Sequence, residues 1–163
     1  ACLEATRNIL CGKWDNLSWS VPAENEQFQL QKGSYTGRLI GGNLSVLYSQ
    51  RGTFNDLDPH GAILFIEDLD EYLYHIDRML QNFRIGEWFQ SLTAVIAGGL
   101  TDMHDNTIPF GQSALEILRT AIPPHVPLAV DAPVGHLSAN YPLVMGATAT
   151  LEIGSHSNTL SYL

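Results

Sequence analysis

Hydrophobic positions along the chain divide it into short apolar runs and amphipathic stretches. Ala62-Ile63-Leu64-Phe65-Ile66 is an uninterrupted apolar run of strand length, the pattern of a central strand buried on both faces. Thr93 to Ala97 reads as a second buried strand and Pro127 to Val130 as a third. Between them, Ile76, Met79, Leu80 and Phe83 recur at i, i+3, i+4 and i+7, the spacing of a helix with one buried stripe. Ala114, Ile117, Leu118 and Ala121 mark another helix, ended before Pro123-Pro124.

Weaker signals fill in the remainder. Residues 1 to 11 favour a short helix stopped by Gly12; with no cap before residue 1, that helix reads as cut, and sequence is expected upstream. Phe28 to Leu30 and Thr36 to Ile40 are strand-like and are expected to pair across Lys32-Gly33-Ser34. Asn43 is placed to cap a helix from Leu44 to Gln50, whose stop signal is Gly52. Gly98-Gly99 is read as opening a polar loop to Pro109, and a second loop runs from Asp131 to Pro142. Ala147 to Ile153 and Thr159 to Leu163 form a closing hairpin across Gly154 to Asn158. Strand, helix, strand, helix, strand between paired strands and a hairpin defines an α/β domain with a mixed sheet and helices packed on it.

Composition narrows the picture. At 163 residues, 45% of them hydrophobic, the chain fits one domain with a sizeable core. Eight Lys and Arg against 17 Asp and Glu give a net charge of −9, which argues against nucleic acid or an anionic membrane as partner. No apolar run approaches the roughly 18 residues of a membrane span, and the N-terminus lacks a secretory pattern. A soluble protein is expected. Cys2 and Cys11 show neither CxxC nor zinc-ligand spacing, so neither a disulfide framework nor a metal site is expected, and a reducing compartment fits best.

In open α/β sheets, reactive groups gather just past the carboxyl ends of strands. Two residues stand there. Glu67 follows the run Ala62 to Ile66 directly, and His136 lies in Ala-Pro-Val-Gly-His beyond the strand ending near Val130. A carboxylate beside an imidazole is a general-base unit. Spacing alone leaves a plainer reading open: Glu67 caps the next helix or pairs with Arg78, and His136 is a satisfied loop histidine. Asp68, Asp70 and Glu71 fit a solvated helix N-terminus. No Gly-x-Ser-x-Gly elbow occurs. Ser45 and Ser49 fall in a helix, Ser113 in a helix's first turn, and Ser138 only two residues from His136.

Asp56, Asp58 and His60, and Asp102, His104 and Asp105, form two acidic clusters, but neither carries a full metal-ligand set, and turns favour Asp for local hydrogen bonds. No metal or cofactor is expected. Gly41-Gly42-Asn43 is either an anion cradle or, more simply, a tight turn.

Several ordered blocks carry a resemblance. Gly41-Gly42-Asn43-Leu44-Ser45 through Arg51-Gly52-Thr53, Ile63-Leu64-Phe65-Ile66-Glu67-Asp68 with Ile76-Asp77-Arg78-Met79-Leu80, and Gly98-Gly99-Leu100-Thr101-Asp102-Met103 come first. Asn106 with Ile108-Pro109-Phe110-Gly111, and Gly135-His136 followed by Asn140, Leu143 and Gly146, complete the set. Together, from about residue 37 to about residue 153, they resemble the C-terminal domain of the LD-carboxypeptidase (muramoyltetrapeptide carboxypeptidase) family of serine peptidases. The resemblance implies a swivelling β/β/α domain and a Ser-Glu-His triad. Glu67 and His136 match the glutamate and histidine, while the serine belongs to an N-terminal nucleophile domain of the same polypeptide. Residues 1 to 12 would be the last helix of the interdomain linker and residues 13 to 163 the C-terminal domain. Asp131 to Val134, Asp-Ala-Pro-Val, departs from the aromatic or small residues common before Gly-His.

The implied reaction releases the terminal D-alanine of a murein tetrapeptide in cytoplasmic peptidoglycan recycling, by an enzyme that is often a homodimer. By itself the chain would be inactive. The rival readings are an immunity-type peptidase that cleaves a peptide-nucleotide antibiotic, and a non-catalytic binding domain of the same fold.

Overall fold

A computed structural model describes all 163 residues. Seven strands form one mixed sheet in the order β1-β7-β6-β2-β3-β4-β5. Its parallel half is β2 (Gly33–Asn43), β3 (Ala62–Leu69), β4 (Ala94–Thr101) and β5 (Leu128–Ala129). The antiparallel half adds the hairpin β6 (Thr148–Ile153) and β7 (Ser157–Tyr162), with β1 (Leu17–Ser20) at the edge. The three apolar runs of the sequence are thus β3, β4 and the short β5. The closing hairpin is β6 and β7.

The helices follow the periodicity. α1 (Cys2–Leu10) buries no residue and is tied back by a 2.6 Å hydrogen bond from Asn8 Nδ2 to Asp15 Oδ2. α2 (Leu44–Gln50) starts at Asn43, whose side chain accepts from Val46 N. α3 (Leu73–Ile85) buries Ile76, Met79, Leu80 and Phe83, the stripe read from the sequence. After the single turn α4 (Trp88–Ser91), α5 (Ala114–Ala121) opens on a reciprocal capping box in which Ser113 and Glu116 satisfy each other's backbone N–H groups. Leu64 and Ile66 of β3 face Leu44, Leu80, Phe83 and Phe89, which packs α2 to α4 on one face of the sheet. One cluster of 38 buried apolar residues runs through the molecule, so the chain has a single core.

The sheet curls until its edges meet. The indole N–H of Trp19 in β1 donates to Val130 O just past β5, at 2.8 Å, although the two strands lie at opposite ends of the strand order. The strand expected at Phe28 to Leu30 contributes to the same closure. It does not pair with Thr36 to Ile40: Glu26–Phe28 is a turn of 3-10 helix, and Leu30 makes a single bridge to Leu128. Gln31 takes a left-handed φ of 50°, which ends extension before β2 begins. A second correction concerns Gly98-Gly99, which lie inside β4 and do not open a loop.

Candidate active site at the carboxyl edge of the sheet

Glu67 sits where β3 loses its even register. Ile66 pairs with Ala97, but Asp68 pairs with Leu100, so Gly98 and Gly99 together face Glu67. Such a bulge bends the strand and re-aims the side chain. On the other side Glu67 pairs in register with Asn43 of β2.

The loop after β5 is drawn across this bulge by backbone contacts. Ala132 N donates to Ala97 O and Gly99 N to Val134 O, each at 3.0 Å. Gly98 permits the approach: a Cβ there would lie 2.4 Å from Val134 O and 2.8 Å from the Phe65 ring. A Cβ on Gly135, which has a φ of 109°, would lie 2.7 Å from Glu67 Oε2. Asn140 Oδ1 accepts from Gly135 N, Tyr141 N donates to Pro133 O, and the Thr101 hydroxyl donates to His136 O, fixing the loop on both sides.

His136 Nδ1 lies 2.7 Å from Glu67 Oε2, and the same oxygen accepts from His136 N at 3.2 Å. The Glu67 side chain is 7% exposed and that of His136 52%. The hydrogen bond to Glu67 and the charge of that carboxylate, with a smaller contribution from Asp68, hold the imidazole above its ordinary value of 6.5. With Nδ1 committed to Glu67 as donor, Nε2 of the neutral ring is an acceptor. The pair borders an open groove of about 380 Å³, with Gly41, Gly42, Phe65 and Val134 among its walls. An exposed imidazole oriented by a buried carboxylate can take a proton from a nucleophile and return it to a leaving group.

The other candidates are placed differently. Glu67 neither caps α3 nor meets Arg78, whose guanidinium lies over Tyr74 at 5.4 Å. Asp68 is not solvated: it is 2% exposed, on the face opposite Glu67, and accepts from Asn43 Nδ2, Ser45 N and Leu69 N. Asp70 and Glu71 pair with His104 and His75. Gly41-Gly42-Asn43 is neither an anion cradle nor a tight turn but the extended end of β2, where a Cβ on Gly41 would lie 1.9 Å from Phe65 O. Of the acidic clusters, Asp56 holds Arg51, Asp58 holds His60, and Asp105 accepts from Asn106 N and Phe110 N. Ser45 and Ser49 bond within or beside α2, Ser113 caps α5, and no serine lines the groove. The sequence places Asp68 at a solvated helix start and Thr101 and Asn140 only within the blocks of the resemblance, with no part for any of them in the site. The signal for Asp68 was present: neighbours on a strand point to opposite faces, so beside a rim-facing Glu67 it must turn toward α2.

Residues 36–151 match the model of the LD-carboxypeptidase C-terminal domain, and the chain belongs to that family. A probable murein peptide carboxypeptidase of Bacillus subtilis strain 168 is 32% identical over 129 residues, which cover 76% of this chain and 39% of that relative. The crystal structure of muramoyltetrapeptide carboxypeptidase from Oxalobacter formigenes superposes with a TM-score of 0.83 at 23% identity, over 98% of this chain and 54% of the other. The structure of MccF in complex with glutamyl sulfamoyl guanosine gives a TM-score of 0.71 at 21% identity, over 82% of this chain and 40% of the other. The chain therefore spans about two fifths of the length of the curated relative. No helix is long and apolar enough to cross a membrane.

Proposed function

We propose that this chain supplies the general base, His136, and its orienting carboxylate, Glu67, to a serine LD-carboxypeptidase that removes the terminal D-alanine of a murein tetrapeptide. The observation that carries the reading is the 2.7 Å contact between the buried Glu67 and the exposed His136 on an open groove. The nucleophilic serine belongs to a domain outside these residues, consistent with the share of the curated relative that the chain spans. Residues 1 to 12, with α1 inside them, would be the end of the connection to it. The relative's name supplies the murein peptide, and the setting would be cytoplasmic murein recycling.

In that reaction His136 Nε2 takes the serine proton as the hydroxyl attacks the carbonyl of the bond before D-alanine. The resulting imidazolium is stabilised by Glu67 through Nδ1–H. It then protonates the departing amine, and water hydrolyses the acyl-enzyme by the same route in reverse. Glu67→Gln would keep the shape of the pair but lose the charge that stabilises the imidazolium, and turnover would fall by roughly three to four orders of magnitude.

The test is D-alanine release from murein tetrapeptide by this chain alone and by the polypeptide extended upstream. The reading requires activity only in the extended form, silenced by His136→Ala. Release by the chain alone, or wild-type turnover with Glu67→Gln, would overturn it. If the extended form cleaves only a peptide-nucleotide, the immunity reading replaces it; if it cleaves neither, a binding domain does.

A further inference from the structure

Past the ends of β3 and β4, two short segments hold a set of half-exposed rings. Tyr72 and His104 bridge in parallel, with Leu73 N donating to His104 O at 2.9 Å and His104 N to Glu71 O at 2.8 Å. On this backbone the Tyr72 ring lies 5.4 Å from Tyr74 and 5.5 Å from His104, tilted by 40° and 51°. Tyr72 is 40% exposed and the His104 side chain 50%. Asp70, 72% exposed, bonds His104 Nε2 at the rim. Neither the core nor the Glu67–His136 pair needs these rings at the surface.

We propose that Tyr72, His104 and Asp70 form a platform for the muramoyl sugar of the substrate, a reading that rests on the murein-peptide function proposed above. The face of a pyranose carries C–H groups that pack on aromatic rings, while its hydroxyls and amide need polar partners at the ring edges; Tyr and His offer an apolar body with a polar tip. Reach agrees with this. In a muramoyltetrapeptide, three residues separate the sugar from the bond before the last residue, on the order of 10 Å when extended. Thr101, whose hydroxyl bonds His136 O, is three residues from His104, and with Asp102 left-handed between them the chain spans no more than about 10 Å. Asp70 N donates to Thr101 O, which ties the platform to the same anchor.

Charge selects among ring ligands. Asp70 bonds His104, Glu71 bonds His75 beside Tyr74, and Arg78 lies over Tyr74, so two carboxylates and one guanidinium border the rings. That field repels the phosphate of a nucleotide and leaves an uncharged sugar unaffected. The tilted rings likewise offer facets and no parallel slot for a flat base.

The probe is N-acetylmuramoyl-L-alanyl-D-isoglutamine, titrated into the 163-residue chain and followed by amide chemical shifts. L-alanyl-D-isoglutamine and AMP serve as comparisons. The sugar-bearing probe should move Tyr72, Leu73 and His104, the dipeptide alone should not, and Tyr72→Ala and His104→Ala should each weaken binding at least fivefold. Equal shifts with the dipeptide, tighter binding of AMP, or an unchanged Kd in both variants would overturn the proposal. D-alanine release by the extended polypeptide reports separately on the reading beneath it. A platform that fails beside an active enzyme removes only the sugar site.

Discussion

Asp68 offers the sharpest test of how the site is held. Its carboxylate is 2% exposed, with Oδ1 accepting from Asn43 Nδ2 at 2.8 Å and Leu69 N at 2.9 Å, and Oδ2 from Ser45 N at 2.9 Å. Asp68→Ala leaves three donors without their acceptor. A buried unsatisfied donor costs about 1–3 kcal/mol; because Ser45 and Asn43 are only partly buried and can reach water, the lower figure applies to each, and the loss sums to about 3 kcal/mol. For a domain of this length that is a fall in Tm of roughly 6–12 °C. Asp68→Asn keeps one acceptor oxygen but sets its NH₂ against at least one N–H donor, and should lose about 1–2 kcal/mol. Urea unfolding followed by circular dichroism reads both variants, with a shifted midpoint at an unchanged slope. A loss below about 1 kcal/mol for Asp68→Ala, or an Asn variant less stable than the Ala variant, would refute the account of Asp68 as the clamp between β3 and the start of α2.

Three further outcomes follow from the same geometry. His136 should titrate above 6.5 in an NMR pH series, and Glu67→Gln should bring it back toward that value. Because the folded value is the higher one, the pair's contribution to stability is complete below about 6.5 and is lost as pH rises through the folded value. If His136 is the base as proposed, D-alanine release by the extended polypeptide would need the neutral imidazole and should rise through the same interval; a wild-type His136 titrating at or below 6.5 would contradict the pairing. Gly135→Ala, with a φ of 109° and a Cβ 2.7 Å from Glu67 Oε2, should destabilise the domain by about 1–3 kcal/mol and shift the His136 resonances, as urea unfolding and NMR would show. Trp19→Phe removes the donor that closes β1 onto Val130 O and should cost about 1–3 kcal/mol, so an unchanged urea midpoint would mean that the closure does not depend on that bond.

What was legible in the sequence was what side chains announce locally. The run Ala62 to Ile66, the stripe Ile76, Met79, Leu80 and Phe83, and the Asn43 cap each appear as read. β1 was not seen because its signal is two apolar residues, Leu17 and Trp19, and its pairing partner β7 lies about 140 residues away. Phe28 to Leu30 was misassigned because an apolar-polar-apolar triplet cannot reveal that Gln31 turns left-handed behind it. A run of acids resembles a solvated helix N-terminus, whereas the burial of Asp68 depends on Asn43 at the end of β2 and Ser45 in the first turn of α2.

The Glu67–His136 contact belongs to neither category, and β4 explains why. Sequence order placed both residues past strand ends, and adjacent parallel strands would bring such loops together directly; but β3 and β5 are not adjacent, because β4 lies between them. The loop carrying His136 must therefore pass over β4 to reach Glu67. A side chain at position 98 would collide with Val134 O, and one at position 99 would lie 2.8 Å from the Leu137 side chain. The first would hold the loop off by more than the 2.7 Å contact could survive, and the second would force the Leu137 side chain aside. Two consecutive glycines inside a buried strand weaken it and look like a loop signal when read along the chain. Here they mark a crossing, and the register shift opposite Glu67 is the form that crossing takes in the sheet. The same argument assigns Gly135 to the loop's side of the contact, so the pair is specified as much by three missing side chains as by the two that meet.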